Sequence, residues 1–350
     1  MVYFDDRQII GRIARVEGQT VLPVATVQKD YTGNWESHLT DREDFTATLN
    51  AVVAELAQSA PQVPSMLYLG VPAQFCHVET QTSEIEFDHF TKVNRHHLQA
   101  LWENTHFHDD YGPIIQQRAL YYQLAERENV FIDVLGVATN CLTMVASAIA
   151  VNKEFCTLID ESAIVRAGFR DFAFLSTAAC ELFLIPESAR DAGCTLVHSD
   201  FFSTTVANVL GDGLTHLSHF NLGVGHLVQE VMEGFNVDYD CAAALVQMST
   251  PTYEMLIDDT YHTHGQTVPA GILNGLVLKQ LHAYAARLSN LQTARVLYLS
   301  GGNFNQIYGV TNLLANDCGR KIYPCCDPLT QRTQFPENTL IAMARYLAAQ

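Results

Sequence analysis

Carboxylates and hydroxyls gather where this chain is predicted to turn between strands. In CTLVHSDFFSTTVANVLGDG, residues 194–213, an apolar strand around Thr195, Leu196 and Val197 runs into Asp200. Thr204 and Thr205 then open a second strand, which closes on Gly211-Asp212-Gly213. A carboxylate followed by hydroxyls at such a turn has the make-up of a phosphate-binding hairpin, where backbone N–H groups curl around an anion. The curl needs glycine wherever backbone approaches the anion closely or takes positive φ. Phe201, Phe202 and Ser203 stand there instead. At the amino end, Phe4-Asp5-Asp6-Arg7 is a second acidic turn between apolar strands, and Leu299-Ser300-Gly301-Gly302-Asn303 is a strand running into a glycine turn. Phe201 and Phe202 have two readings: a plug in a cleft, or ordinary core.

Other candidates carry less. His106-Phe107-His108-Asp109-Asp110 has the alternating histidines and carboxylates of a metal site, but a polar loop accounts for it as well. His262-x-His264 beside Asp258 and Asp259 is read the same way, and no metal site is assigned. Cys325 and Cys326 are adjacent, a poor geometry for one metal or one disulfide. Gly223-Val224-Gly225 could present free N–H groups at a helix start, without the third glycine of a dinucleotide fingerprint. No Walker A, G-x-S-x-G or H-E-x-x-H pattern is present, and no catalytic residue is assigned.

The elements that must position these residues alternate between strand and helix. YFDDRQIIGRIARV and VLPVATVQ read as β-hairpins. Residues 41–59 place Phe45, Leu49, Val52, Val53 and Leu56 at helical spacing after an acidic first turn. MLYLGVP is a short buried strand, 91–104 an amphipathic segment, and 114–124 and 142–151 are strand-like. Asn152 to Ala167 is predicted as one helix, stopped by Gly168. From 223 to 289 the pattern is mainly helical around a polar loop at 258–267. A strand, a glycine turn and a helix follow, and 337–349 is helical. No internal repeat is visible. This is an α/β chain.

Its 350 residues suffice for two lobes. Lys plus Arg is 20 against 38 Asp plus Glu, a formal charge of −18, which repels phosphate backbones and argues against nucleic acid as a partner. Nine scattered cysteines fit reduced thiols better than a disulfide framework. No signal peptide or membrane-length apolar run is visible, so a cytoplasmic protein is expected.

With its elements placed, the order of landmarks resembles the FtsA family of bacterial actin homologues. Phe4-Asp5-Asp6-Arg7 occupies the position of that family's Asp-Ile-Gly-Thr, and 194–213 the position of its Asp-x-Gly-Gly-Gly-Thr-Thr-Asp hairpin. MLYLGVPAQFCHVE looks like the strand before its inserted domain, and TKVNRHHLQALWEN with Asp133-Val134-Leu135-Gly136 keeps the order of that domain. NKEFCTLIDESAIVRAGF is similar to its next helix, and Leu299 to Asn303 with Gly309 resembles its adenosine loop. The resemblance implies an actin-like (ribonuclease H-like) two-lobed fold with a small inserted α+β domain. The expected division is 1–83 for the first part of lobe one, 84–150 for the insertion, 151–190 for the return, 191–335 for lobe two, and 336–350 for a C-terminal helix of the core.

By the same resemblance the nucleotide cleft comprises Asp5, Asp200, Ser203, Thr204, Thr205, Gly301, Gly302 and Asn303, but in degenerate form. The first hairpin lacks Gly-Thr, and Arg7 with Gln8 bridges a shortened turn. The second is filled by phenylalanine. Ala243 to Gln247 lacks the family's Ala-Glu-x-x-Lys charges. The expectation is therefore a pseudo-ATPase: no resident cofactor, with ATP or ADP and Mg²⁺ bound weakly as the alternative. Its implied role is an adaptor or scaffold in bacterial cell division or envelope assembly. Partners would be proteins of that machinery, with self-association and recruitment to the inner face of the membrane through a partner. NTLIAMARYLAAQ lacks the family's Lys/Arg/Trp-rich amphipathic anchor, so no direct membrane anchor is expected. Two alternatives stand beside this: a working actin-like ATPase, and an adaptor of a pilus or secretion machine similar to PilM.

Overall fold

Apolar alternation at the amino end folds as predicted, into strands β1 (Val2–Phe4), β2 (Gln8–Glu17) and β3 (Thr20–Asp30), paired antiparallel in sequence. The computed structural model describes residues 1–18, 20–32, 41–251, 259–301, 307–325 and 337–349. Helix α1 (Arg42–Gln58) begins where the Asp41 side chain accepts the Asp44 N–H, an N-cap reinforced by Glu43 and Asp44 in the first turn. Its predicted apolar face lies against the sheet: a Cβ on Gly11 would come within 2.8 Å of Val52 Cγ1. Strand β4 (Met66–Val71) returns parallel to β1.

An inserted unit follows: β5 (Cys76–Lys92), α2 (Arg95–Glu103), β6 (Ile114–Leu124), β7 (Val130–Phe131) and β8 (Ala138–Val151), an antiparallel sheet in the order β5-β8-β6-β7. It has its own core of Val93, Leu101, Tyr122, Leu124, Val134, Leu142, Met144 and Ala146. Residue 84, the expected start of the insertion, lies inside β5. Its mostly polar sequence, CHVETQTSEIEFDHFTK, hid a strand whose side chains are largely exposed or half-buried. The unit also packs on lobe two, where a Cβ on Gly213 would sit 2.5 Å from Leu120 Cδ2.

The helix predicted for Asn152–Ala167 is instead two short ones, α3 (Lys153–Cys156) and α4 (Glu161–Arg166). Two caps impose the break: Asn152 accepts the Glu154 N–H, and Asp160 accepts the Ala163 N–H and so starts a second helix. Strand β9 (Asp171–Ser176) completes the sheet order β3-β2-β1-β4-β9, and α5 (Thr177–Glu181) and α6 (Glu187–Asp191) lead out of it.

The second lobe repeats that plan. Strands β10 (Cys194–Ser199), β11 (Thr204–Leu210) and β12 (Gly213–Phe220) pair antiparallel. Helices α7 (Val224–Phe235) and α8 (Tyr239–Met248) follow. The predicted polar loop at 258–267 is, over its described part, a hairpin of β13 (Thr260–Thr263) and β14 (Gln266–Pro269), turned by His264 and Gly265 at positive φ. Then come α9 (Ala270–Ser289), β15 (Val296–Gly301), α10 (Val310–Cys318), β16 (Lys321–Pro324) and α11 (Glu337–Ala348). The sheet order is β12-β11-β10-β15-β16, with β15 parallel to β10 and β16 parallel to β15. Both five-stranded sheets thus share one topology, a repeat that the sequence does not display. The first-lobe core continues through Cys194, Leu196, Ala207 and Val209 into one face of the second sheet and takes in Leu340, Ala342 and Met343 of α11. A separate core fills the helical side of lobe two. The central strands β1 and β10 end facing each other, and carboxyl ends of parallel strands are where α/β sheets place their sites.

Candidate functional site

Both acidic hairpins close as four-residue turns. At the first, the Asp5 N–H donates to Gln8 O at 2.9 Å, and at the second, the Asp200 N–H donates to Ser203 O at 2.9 Å. Among the described residues, only Asn236 and His264 take positive φ without being glycine, so neither turn uses that region. Each is a tight reversal that bulky side chains tolerate.

The two turns hold each other. Asp6 reaches from lobe one to lobe two, where its Oδ2 accepts the Phe202 N–H at 2.8 Å, the Ser203 N–H at 3.1 Å and the Ser203 hydroxyl at 3.3 Å. The Phe202 and Ser203 amides are thus engaged by the chain's own carboxylate. Arg7, the next residue, packs its guanidinium 4.6 Å from the ring centres of both Phe201 and Tyr239 and donates to the Tyr239 hydroxyl. Phe201 and Phe202 meet edge to face at 4.6 Å. Helix α7 starts directly beneath, where a Cβ on Gly223 would fall 2.3 Å from Phe201 O and one on Gly225 2.5 Å from the Phe201 ring. Phe201, Phe202, Arg7, Met232 and Tyr239 line a largely apolar pocket of about 340 Å³. Both readings of the phenylalanine pair find support: Phe201 belongs to the buried core of lobe two and Phe202 packs against it, and the rings also sit at the interlobe junction, between Arg7 and the start of α7.

Behind the turns runs a buried polar chain. The Tyr3 hydroxyl donates to Asp200 Oδ1 at 2.9 Å, and His198 Nε2 lies 3.0 Å from the same oxygen. His198 Nδ1 meets the Glu181 carboxylate at 2.9 Å, and Thr339 donates its hydroxyl to Glu181 at 2.6 Å. Glu181 is fully buried, and His198 and Asp200 are each 6 % exposed. The chain joins β1, α5, β10 and α11, two lobes and the C-terminal helix. Burial alone would drive His198 toward neutrality, but Glu181 and Asp200 outweigh it and hold the imidazole protonated, well above its ordinary range. Burial, and next the charge of Asp200, raise Asp5 well above the carboxylate range. Burial and Asp200 also push Asp6 up to about 7, against the three hydrogen bonds it accepts. Oδ1 of Asp5 and of Asp6 are buried without a hydrogen-bond partner.

The remaining predicted residues serve the scaffold. Thr204 donates to Leu222 O at 2.7 Å, and Thr205 is buried in the β10–β11 ladder opposite His198. Gly301 has φ +82 and allows β15 to approach β10, since a Cβ there would lie 2.2 Å from Ser199 O. Gly302 and Asn303 lie outside the described residues. His108 is bound to Glu79 at 2.6 Å, and His262 bridges Thr260 and Thr267, each at 2.9 Å. Among the described residues no three His, Cys, Asp or Glu side chains converge as a metal site. The two hairpins do not fit a nucleotide's phosphates as arranged, because Asp6 occupies the donors. Nor does buried His198 have access to a substrate.

Sequence reasoning missed Asp6 as a strut, and it missed Tyr3, Glu181, His198 and Thr339 altogether. One signal was present: His198 interrupts the fully buried run Cys194–Ser199, where an ionisable group needs a partner.

No protein-family model matches the chain, and no curated protein matches it. Solved structures do. A PilM–PilN type IV pilus biogenesis complex aligns at 16 % identity with a TM-score of 0.56, over 99 % of this chain and 96 % of that one. MreB5 of Spiroplasma citri bound to ADP aligns at 8 % identity and 0.56, over 99 % and 95 %. The ethanolamine utilization protein EutJ of Carboxydothermus hydrogenoformans aligns at 12 % and 0.52, over 98 % and 87 %. Identities this low carry the fold alone. The chain has the actin-like ATPase fold, and duplicated sheets flanking a cleft are its mark here.

Proposed function

We propose that this protein is a non-catalytic actin-fold adaptor of a bacterial envelope machine, similar in role to a pilus adaptor such as PilM. The observation that carries the non-catalytic half is Asp6 on the Phe202 and Ser203 amides. Phosphoryl transfer in such clefts depends on backbone donors and a held metal ion at the phosphates, and here those donors are spent on a side chain. Supporting the adaptor half is the near full-length likeness to the chain of a PilM–PilN complex, together with an inserted sheet that offers partners a surface apart from the cleft. No helix among the described residues is long and apolar enough to cross a membrane.

Titration calorimetry with ATP, ADP and Mg²⁺ tests the first half. No heat at millimolar nucleotide is expected, and micromolar binding, about −8 kcal/mol, overturns it. Capture of the full chain with cytoplasmic segments of the membrane proteins encoded beside it tests the second. Binding to a pilus or secretion component is expected, and binding to none of them defeats the adaptor reading.

A further inference from the structure

One side of the interlobe junction is hollow. Between the first acidic turn and α7, the side chains of Arg7, Phe201, Phe202, Val228, Met232 and Tyr239 line a pocket of about 340 Å³, near the small end of ligand-sized cavities. Part of its wall is helix backbone: Gly225 lines it, and a Cβ there would strike the rings of Phe201 at 2.5 Å and Phe202 at 2.7 Å. No carboxylate lines the pocket, in a chain whose formal charge is −18. Its one charged group is the half-buried guanidinium of Arg7. One amino group of that fork donates to the Tyr239 hydroxyl, and the fork lies 4.6 Å from the ring centres of Phe201 and Tyr239. Its other N–H groups have no acceptor among the described residues, and no carboxylate there pairs with it. Arg42, Arg166 and Arg190, by contrast, each sit on a carboxylate. Asp6, the neighbour of Arg7 in sequence, is spent on the Phe202 and Ser203 amides.

We propose that this pocket binds a small apolar carboxylate: one carboxyl group on a compact aromatic or branched aliphatic body, either free or as the last residue of a peptide chain. The carboxylate takes the open edge of the Arg7 fork, a planar pairing that guanidinium geometry favours. At the rim, the exposed Gln229 amide offers a further N–H. The apolar body lies against Phe201, Phe202, Val228 and Met232, and the unbranched Met232 adjusts to its shape. Rings that already hold the guanidinium in place spare the ligand the cost of ordering it. Two features select a carboxylate over a phosphate. At the start of α7 the Gly223, Gly225 and His226 N–H groups are already used, on His226 Nδ1, Phe201 O and Gly223 O. A doubly charged group would also meet the repulsion of Asp6, which is bonded to the N–H of Phe202 in the pocket wall.

The site does not depend on the adaptor reading. Nucleotide calorimetry reports on the hairpin amides, whereas an acid compared with its own amide reports on Arg7, so either can fail alone. Calorimetry on the full chain with N-acetylphenylalanine and N-acetylphenylalaninamide, which share one body and differ in charge, is the direct test. The acid is expected to bind with a Kd of about 1 mM or tighter, and about tenfold or more tightly than the amide. Arg7→Gln should erase that preference. Gln229→Trp, at an exposed helical position, should block the mouth and weaken the acid about tenfold or more. No binding of the acid at about 10 mM overturns the proposal, as does equal binding of acid and amide, or inorganic phosphate competing as well as the acid. Unaltered affinity in Gln229→Trp overturns it too, and that variant decides should Arg7→Gln not fold. A short peptide ending in phenylalanine with a free carboxyl group identifies the source. Binding about fivefold or more tighter than the acetylated residue supports a chain end as the ligand, and equal binding supports a free acid.

Discussion

Replacing His198 by alanine strikes the point where the two lobes and the C-terminal helix are tied together. His198 bridges the carboxylates of Glu181 and Asp200 at 2.9 and 3.0 Å, and both are nearly or wholly inaccessible to water. Removing the cation leaves two buried acids facing a cavity, and breaking a buried ion pair from one side costs about 3–5 kcal/mol. Tyr3 and Thr339 still donate one hydrogen bond each to these acids, which keeps the loss within that range. For 350 residues unfolding as one unit, an entropy of about 2.1 cal/mol/K per residue makes each kcal/mol worth about 1.4 °C. A melting-temperature drop of about 4–7 °C near neutral pH is expected by scanning calorimetry. The pH dependence follows from the raised imidazole: its contribution is whole below the ordinary histidine value and is lost as pH rises through the higher folded value. The gap between wild type and His198→Ala should therefore narrow from pH 6.5 toward pH 10. A gap below about 1 °C throughout, or one that widens with pH, would refute the reasoning that His198 is a buried cation.

Asp6→Asn should flatten the acid side of the stability profile. Asp6 is raised from 3.8 to about 7, so its favourable contribution is complete below the lower value and lost as pH climbs through the upper one. The advantage of wild type over the variant, read from denaturant midpoints, should shrink steadily between pH 4 and pH 8, and a constant difference would rule this out. Gly223→Ala forces a methyl to within 2.3 Å of a backbone oxygen and is expected to cost about 1–3 kcal/mol in chemical denaturation. Alanine at Gly271, which has nothing within 4 Å, is the control and should be neutral or slightly stabilising in its helix, by up to about 1 kcal/mol. Equal effects at the two glycines would contradict the close packing of α7 on Phe201.

Much of the frame was legible because local periodicity and caps reported it. The apolar spacing of Phe45, Leu49, Val52, Val53 and Leu56 marked α1, and the turns at Asp5-Asp6 and Asp200 were placed correctly. Failures arose where local signals competed or were weak. Asp160 capped a second helix inside what read as one, and β5 was concealed by polar residues on both faces. At the site, Asp200 and Ser203 were singled out as part of a nucleotide cleft through the family resemblance, not through the contacts they make. The partners that define their roles lie far away in sequence: Asp6 and Ser203 are separated by 197 residues, and Glu181 and Thr339 by 158.

By itself the sequence determined the alternation of strands and helices, the two acidic turns, and the substitution of phenylalanine for the glycine an anion cradle requires. Those are local matters, governed by side-chain shape and by the φ values each residue tolerates. Only the tertiary structure decided what the turns do. Bringing β1 and β10 end to end removes water from Asp5, Asp6, Glu181, His198 and Asp200 together, and their protonation and pairing are properties of that shared dry volume rather than of any one residue.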